Sequence, residues 1–162
     1  MRIAVTGHMD VTADSAALVR SAIDDELRAL ARGEAYVGVS CLARGADSIF
    51  AEAVVDDGGT LEVVLPSAHY RLRKVKPDHA PTFDTLIDQA ATVRELPFDE
   101  VDKDAYEAAN EVLVSESDVL IAVWDGVSSN RSGTGSVVEL ARSRQHPVRV
   151  VWPAGAQREP KQ

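Results

Sequence analysis

The chain has 162 residues, 45% of them hydrophobic and 27% charged, with a formal net charge of −9 at pH 7. That length suits a single domain with a sizeable core, and no apolar run approaches the roughly 20 residues that span a bilayer, so no membrane partner is expected. One cysteine, Cys41, excludes an internal disulfide and a cysteine-rich metal site, and the acidic balance argues against nucleic acid, whose phosphates need a basic face.

Strand-like and helix-like segments alternate along the chain. The opening Met1-Arg2-Ile3-Ala4-Val5-Thr6-Gly7 enters a strand at once (residues 3–6) rather than a signal peptide, so a cytoplasmic location is expected. Residues 13–31 carry Val19, Ile23, Leu27 and Leu30 at helical spacing, and Gly33 is placed to stop that helix. A strand at 36–40 is followed by a helix at 47–55, with Ile49, Phe50, Ala53 and Val54 inward. A third strand at 61–65 is cut by Pro66. Residues 67–81 have no regular period. Within them Arg71-Leu72-Arg73-Lys74-Val75-Lys76 is a basic island that reads as a solvated helix end or, alternatively, as a wall attracting an anion.

A helix at 83–90 and a strand at 92–96 come next. Residues 104–114 read as a helix with Tyr106, Ala109, Asn110 and Leu113 on one face. The apolar strand 119–124, a helix at 135–144 and a last strand at 148–152 complete the pattern. Residues 154–162 read as a disordered tail, leaving one domain over 1–153. Strands alternating with helices imply βαβ units, and continuous apolar strands imply helices on both faces. The expected fold is therefore an α/β, doubly wound, mostly parallel Rossmann-like sheet of five to seven strands.

Ligands in such sheets bind beyond the carboxyl ends of the strands. There the sequence places Thr6-Gly7-His8, the loop Ser40-Cys41-Leu42-Ala43-Arg44-Gly45-Ala46-Asp47, and the long Gly/Ser loop 125–136. Small residues at a helix start let a ligand approach the backbone, where free N–H groups and the helix dipole favour an anion. Gly45 with Ala46, and Gly133-Thr134-Gly135-Ser136, supply two such starts, and Arg44 offers a charge-assisted contact. Each has a structural alternative: Gly45 can serve close packing, and Arg44 can be solvated. His8 reads equally as a ligand contact and as a turn residue, as does Asn110 between cleft and core. Asp125 either meets ribose hydroxyls or begins a turn. The NAD-type fingerprint is absent, since Gly7 is followed by His8-Met9-Asp10-Val11-Thr12, and there is no GxxxxGK[ST] loop. No histidine pair has metal spacing. The expected ligand is thus a nucleotide or another phosphate-bearing small molecule, with no metal and no cofactor.

The two loops together resemble the SLOG superfamily, which includes the lonely-guy proteins once labelled lysine decarboxylases. The second family motif is Pro-Gly-Gly-x-Gly-Thr-x-x-Glu after an apolar strand. Here Gly133, Gly135 and Glu139 match, Ser136 replaces threonine, and Arg131 and Ser132 stand at the proline and first glycine places. The resemblance implies a Rossmann-like fold, homodimers, and a sensor or carrier role. It also implies, as the alternative, a phosphoribohydrolase cleaving the N-glycosidic bond of nucleoside 5′-monophosphates, with Glu139 as the catalytic carboxylate. The family's arginine would fall near Ala109, and the helix holding Ala109 has none. Ligand binding is therefore the first reading. A third class, DNA binding as in the related DNA-processing proteins, is set aside on net charge.

Overall fold

The computed structural model describes residues 1–128 and 133–160. In chain order they form β1 (Arg2–Gly7), α1 (Ala13–Ala31), β2 (Val37–Ser40), α2 (Ala46–Asp56), β3 (Thr60–Leu65) and α3 (Tyr70–Lys74). Then follow α4 (Ala80–Gln89), β4 (Thr92–Glu95), α5 (Lys103–Ser115), β5 (Val119–Val123), α6 (Thr134–Ser143) and β6 (Val148–Val151). One six-stranded sheet has the order β4-β3-β2-β1-β5-β6, with every neighbouring pair parallel. The chain starts at the centre, winds outward through β2, β3 and β4, and returns to the other side of β1. This is the doubly wound α/β fold expected from the sequence, with its switch point between β1 and β5.

Alternate residues of the central strands β1, β2, β3 and β5 feed opposite layers, which is why these strands read as largely apolar runs, whereas the edge strand β4 is exposed throughout. Ile3, Val5, Val63 and Ile121 point to one core with Val19, Ile23 and Leu27 of α1, Phe50 of α2 and Phe83 of α4. Ala4, Val39, Val64 and Leu120 point to the other, against Ala109 and Leu113 of α5 and Val137 of α6. Full burial of side chains such as Ile3 or Phe50 contributes about 1.5–3 kcal/mol each. Helix α1 begins where Thr12 Oγ1 accepts the Ser15 N–H, and ends at Arg32 in the left-handed region. The stop comes one residue before the glycine that the sequence nominated.

Two segments differ from the sequence expectation. Part of the stretch read as irregular is the short helix α3, whose basic residues are exposed: Arg71 pairs with Asp84 and Arg73 with Glu100. Residues 154–160, read as part of a disordered tail, fold back along the β1–α1 loop. Thr12 N–H donates to the Gln157 carbonyl, Gln157 N–H donates to Ser15 Oγ, and Arg158 pairs with Asp10 at 2.8 Å. The attachment is polar and long-range in sequence, so no local hydrophobic period announces it.

Candidate ligand-binding cleft

The β2–α2 loop is held by buried hydrogen bonds. Ser40 is fully buried. Its Oγ donates to the Asp47 carbonyl at 3.0 Å and accepts the Leu42 N–H at 3.1 Å. Leu42 holds a left-handed backbone at φ 57° with its side chain fully buried, a conformation that costs energy in a non-glycine residue. The His79 ring, with Nε2 as donor, reaches the Leu42 carbonyl at 3.1 Å and braces it from α4's start. Gly45 has φ +80°, and a Cβ there would lie 2.6 Å from the His8 carbonyl oxygen. The Ala46 N–H already donates to that carbonyl at 3.1 Å. Gly45 therefore serves close packing of α2 against the end of β1. Gly7 serves the same contact, since its Cβ would overlap that of Ala46.

Helix α6 starts differently. Gly133 is its N-cap, its first turn holds no acid, and among the described residues no side chain caps it. Ser136 and Val137 N–H groups close back on the Gly133 carbonyl. The first turn, Gly133-Thr134-Gly135, thus presents the positive end of the helix dipole without a carboxylate to offset it.

Between these two helix starts, beyond β1 and β5, lies a cavity of about 580 Å³. It falls within the roughly 300–1,000 Å³ usual for small-ligand sites. Of the residues nominated from the sequence, Gly7, His8, Cys41, Arg44, Asp47, Asn110, Gly133, Thr134 and Gly135 line it. Ser40, Gly45, Ala46, Asp125, Ser136 and Glu139 are not on its wall. Ser136 and Glu139 lie on the exposed side of α6. Arg131 and Ser132 of the family motif lie outside the described residues. Ala109 does line the cavity, so the position matched to the family's arginine faces the cleft as a methyl group.

Sequence reasoning missed part of the wall. Lys103 and Glu107 of α5 and Tyr70 of α3 line the cavity, as do Asp10 and Arg158. Tyr106, placed by the sequence on one helix face with Ala109 and Asn110, lines it with 40% of its surface exposed. Arg158 Nε lies 2.8 Å from Asp10 Oδ1, and its Nη1 lies 3.5 Å from Asp125 Oδ2. Nothing around Arg158 in the sequence signals this, because both partners, Asp10 and Asp125, are distant along the chain. His8 Nε2 accepts the Asp125 N–H at 3.1 Å, which requires the neutral ring. Burial and the Arg158 charge lower the His8 pKa against the pull of Asp125, in agreement with that role. Burial pushes the Asp125 carboxyl up, but the Val127 N–H and the Arg158 guanidinium oppose it, and the pKa lies below its usual value. Asp47 behaves oppositely. Burial raises its pKa to about 7, only weakly opposed by the Ala43 N–H.

Among the described residues, no cluster of histidine, cysteine and acidic side chains has the form of a metal site, and no helix is long and apolar enough to cross a membrane. No family model and no curated protein matches the sequence. Solved structures do. DNA processing protein A (DprA) from Streptococcus pneumoniae superposes with a TM-score of 0.69 at 20% identity, over 95% of this chain and 51% of its own. DNA processing protein A from Helicobacter pylori, described for its single-stranded DNA binding mode, gives 0.67 at 22% identity over 98% and 68%. The molybdenum cofactor carrier protein from Chlamydomonas reinhardtii gives 0.55 at 16% identity over 92% and 74%. The chain thus spans about half the length of the S. pneumoniae protein.

These neighbours overturn one expectation. Net charge had set nucleic acid aside as a partner, yet a protein of this fold binds single-stranded DNA. Total charge averages over acidic helix surfaces remote from the cleft, whose wall carries Arg44, Lys103 and Arg158 beside its acids. It is therefore a poor guide to what one local surface binds. In architecture, the chain shares the Rossmann-like α/β fold of these neighbours, as its alternation of strands and helices led one to expect.

Proposed function

We propose that the chain is a binding domain for a nucleotide or nucleotide-derived phosphate, held in the cleft between the starts of α2 and α6. The observation that carries this reading is the α6 N-terminus, which opens with Gly133-Thr134-Gly135, without a side-chain cap among the described residues, onto a ligand-sized cavity at the switch point of the sheet. Backbone donors and the helix dipole favour a phosphate there. Arg44, Lys103 and Arg158 add cationic wall, while Tyr70, Tyr106 and Trp124 offer flat surface for a base. A carrier of the same fold, for molybdenum cofactor, is consistent with binding rather than turnover. Glu139 would have to reach the sugar for N-glycosidic cleavage, and it sits exposed and off the cavity wall.

Single-stranded DNA is the second reading, favoured by the H. pylori neighbour. It uses the same chemistry, a nucleotide phosphate at the α6 start, with the strand running over the cationic rim. Isothermal titration calorimetry separates the two, using nucleoside 5′-monophosphates and a short oligodeoxynucleotide as titrants. The first reading expects saturable binding of a mononucleotide that the oligonucleotide does not exceed. Tighter oligonucleotide binding that weakens steeply with salt selects the second. If neither titrant binds, both readings are wrong. Chromatography of the same mixtures should show no free base; release that vanishes in Glu139→Gln would establish the phosphoribohydrolase instead.

A further inference from the structure

The opposite end of the cleft has an unusual feature. Asp47, in the first turn of α2, is 7% exposed and lines the cavity. Its Oδ2 accepts only a long hydrogen bond of 3.4 Å from the Ala43 N–H, and its buried Oδ1 has no partner among the described residues. A buried acceptor without a donor is destabilising, and native structures retain few of them. Rotation about χ2, which is soft in aspartate, exchanges the two oxygens. Such a rotation turns the orphaned oxygen toward a donor arriving in the cavity that Asp47 lines. The neighbouring Cys41 thiol and Tyr70 phenol have their pKa values raised, first by burial and then by the Asp47 charge, so both stay neutral. Once ionised, above its folded pKa of about 7, Asp47 supplies the negative group that the α2 dipole attracts, and it then repels a second anion from that end.

We propose that Asp47 forms a donor-recognition subsite: it accepts a hydrogen bond from an N–H or O–H group of the ligand, and the phosphate lies at the α6 end. The cleft is then polar along its length, with anion recognition at Gly133–Gly135 and donor recognition at Asp47. This inference rests on the nucleotide reading of the cleft, and deepens it by assigning which part of the ligand faces which helix. Two sources carry a suitable donor: a base amino group and a sugar hydroxyl.

Calorimetry with adenosine, adenosine 5′-monophosphate, inosine 5′-monophosphate, 2′-deoxyadenosine 5′-monophosphate and inorganic phosphate tests it on wild type, Asp47→Ala and Asp47→Asn. Asp47→Ala should weaken adenosine and its monophosphate at least tenfold and leave inorganic phosphate unchanged. Asp47→Asn keeps an acceptor oxygen and the side-chain shape, so it should lose less, and it serves as the control for folding. A weak inosine compound identifies the base amino group as the donor, and a weak deoxy compound identifies the sugar hydroxyl. Adenosine binding that needs Asp47 without any phosphate binding would refute the α6 phosphate site and uphold the donor subsite. Equal affinities in all three proteins, or no binding of any nucleoside compound, would overturn the inference.

Discussion

Ser40 and Asp47 show how much of the cleft depends on single polar atoms. Ser40 Oγ joins the Asp47 carbonyl to the Leu42 N–H within a fully buried loop. Ser40→Ala therefore leaves the buried Leu42 N–H without its acceptor and removes the second donor at the Asp47 carbonyl, and denaturant unfolding should show a loss of about 1–3 kcal/mol. Asp47 acts through its proton. Below about pH 4 it is protonated in the folded and unfolded chain alike. Between about pH 4 and its folded value of about 7, the unfolded chain gives up the proton first, so folded stability falls as pH rises through that window. Asp47→Asn removes this component. Denaturation series should show the variant gaining on wild type from pH 4 to 8 by up to about 2–4 kcal/mol, whereas parallel curves would contradict the burial argument. Arg44, Asp47 and Gly133 were legible in the sequence because they sit at predicted strand ends. Arg158 was not, since only the folded chain brings it to Asp10 and Asp125.

Among the elements, the two helix starts look alike in sequence and differ in use. Both begin with glycine and, among the described residues, lack a side-chain cap. Gly45 needs its left-handed backbone and its bare Cα to meet the His8 and Met9 carbonyls. Gly45→Ala should cost about 2 kcal/mol or more in unfolding free energy, from backbone strain together with the clash. At Gly133, by contrast, an added Cβ meets no described residue within 4 Å. The period of the apolar residues gave the long helices and central strands to within a few residues, because each buries one or both faces. It missed α3, a five-residue helix with too few turns to show a period. It also could not say which glycine served packing and which the cleft, because that depends on what stands opposite.

For the whole molecule, the sheet order sets the site, and the segment 154–160 closes one side of it. Arg158 ties that segment to the β1–α1 loop and to the end of β5 through Asp10 and Asp125. Arg158→Ala should lower unfolding free energy by about 1 kcal/mol, since the pairs are only partly buried. It should also lower the midpoint less at high salt, where the pairs are already screened. The doubly wound topology was readable from alternation alone, whereas partner class was not, because charge summed over the surface says little about one cleft.

The central claim is that a phosphate sits at the start of α6, and Gly133→Asp tests it most directly. Aspartate is a favoured N-cap, so it should keep or raise thermal stability while placing a carboxylate where the anion would bind. Titrating wild type and Gly133→Asp with a nucleoside 5′-monophosphate should show saturable binding in the first and at least a tenfold loss in the second. Equal affinity in a folded Gly133→Asp protein would contradict the account.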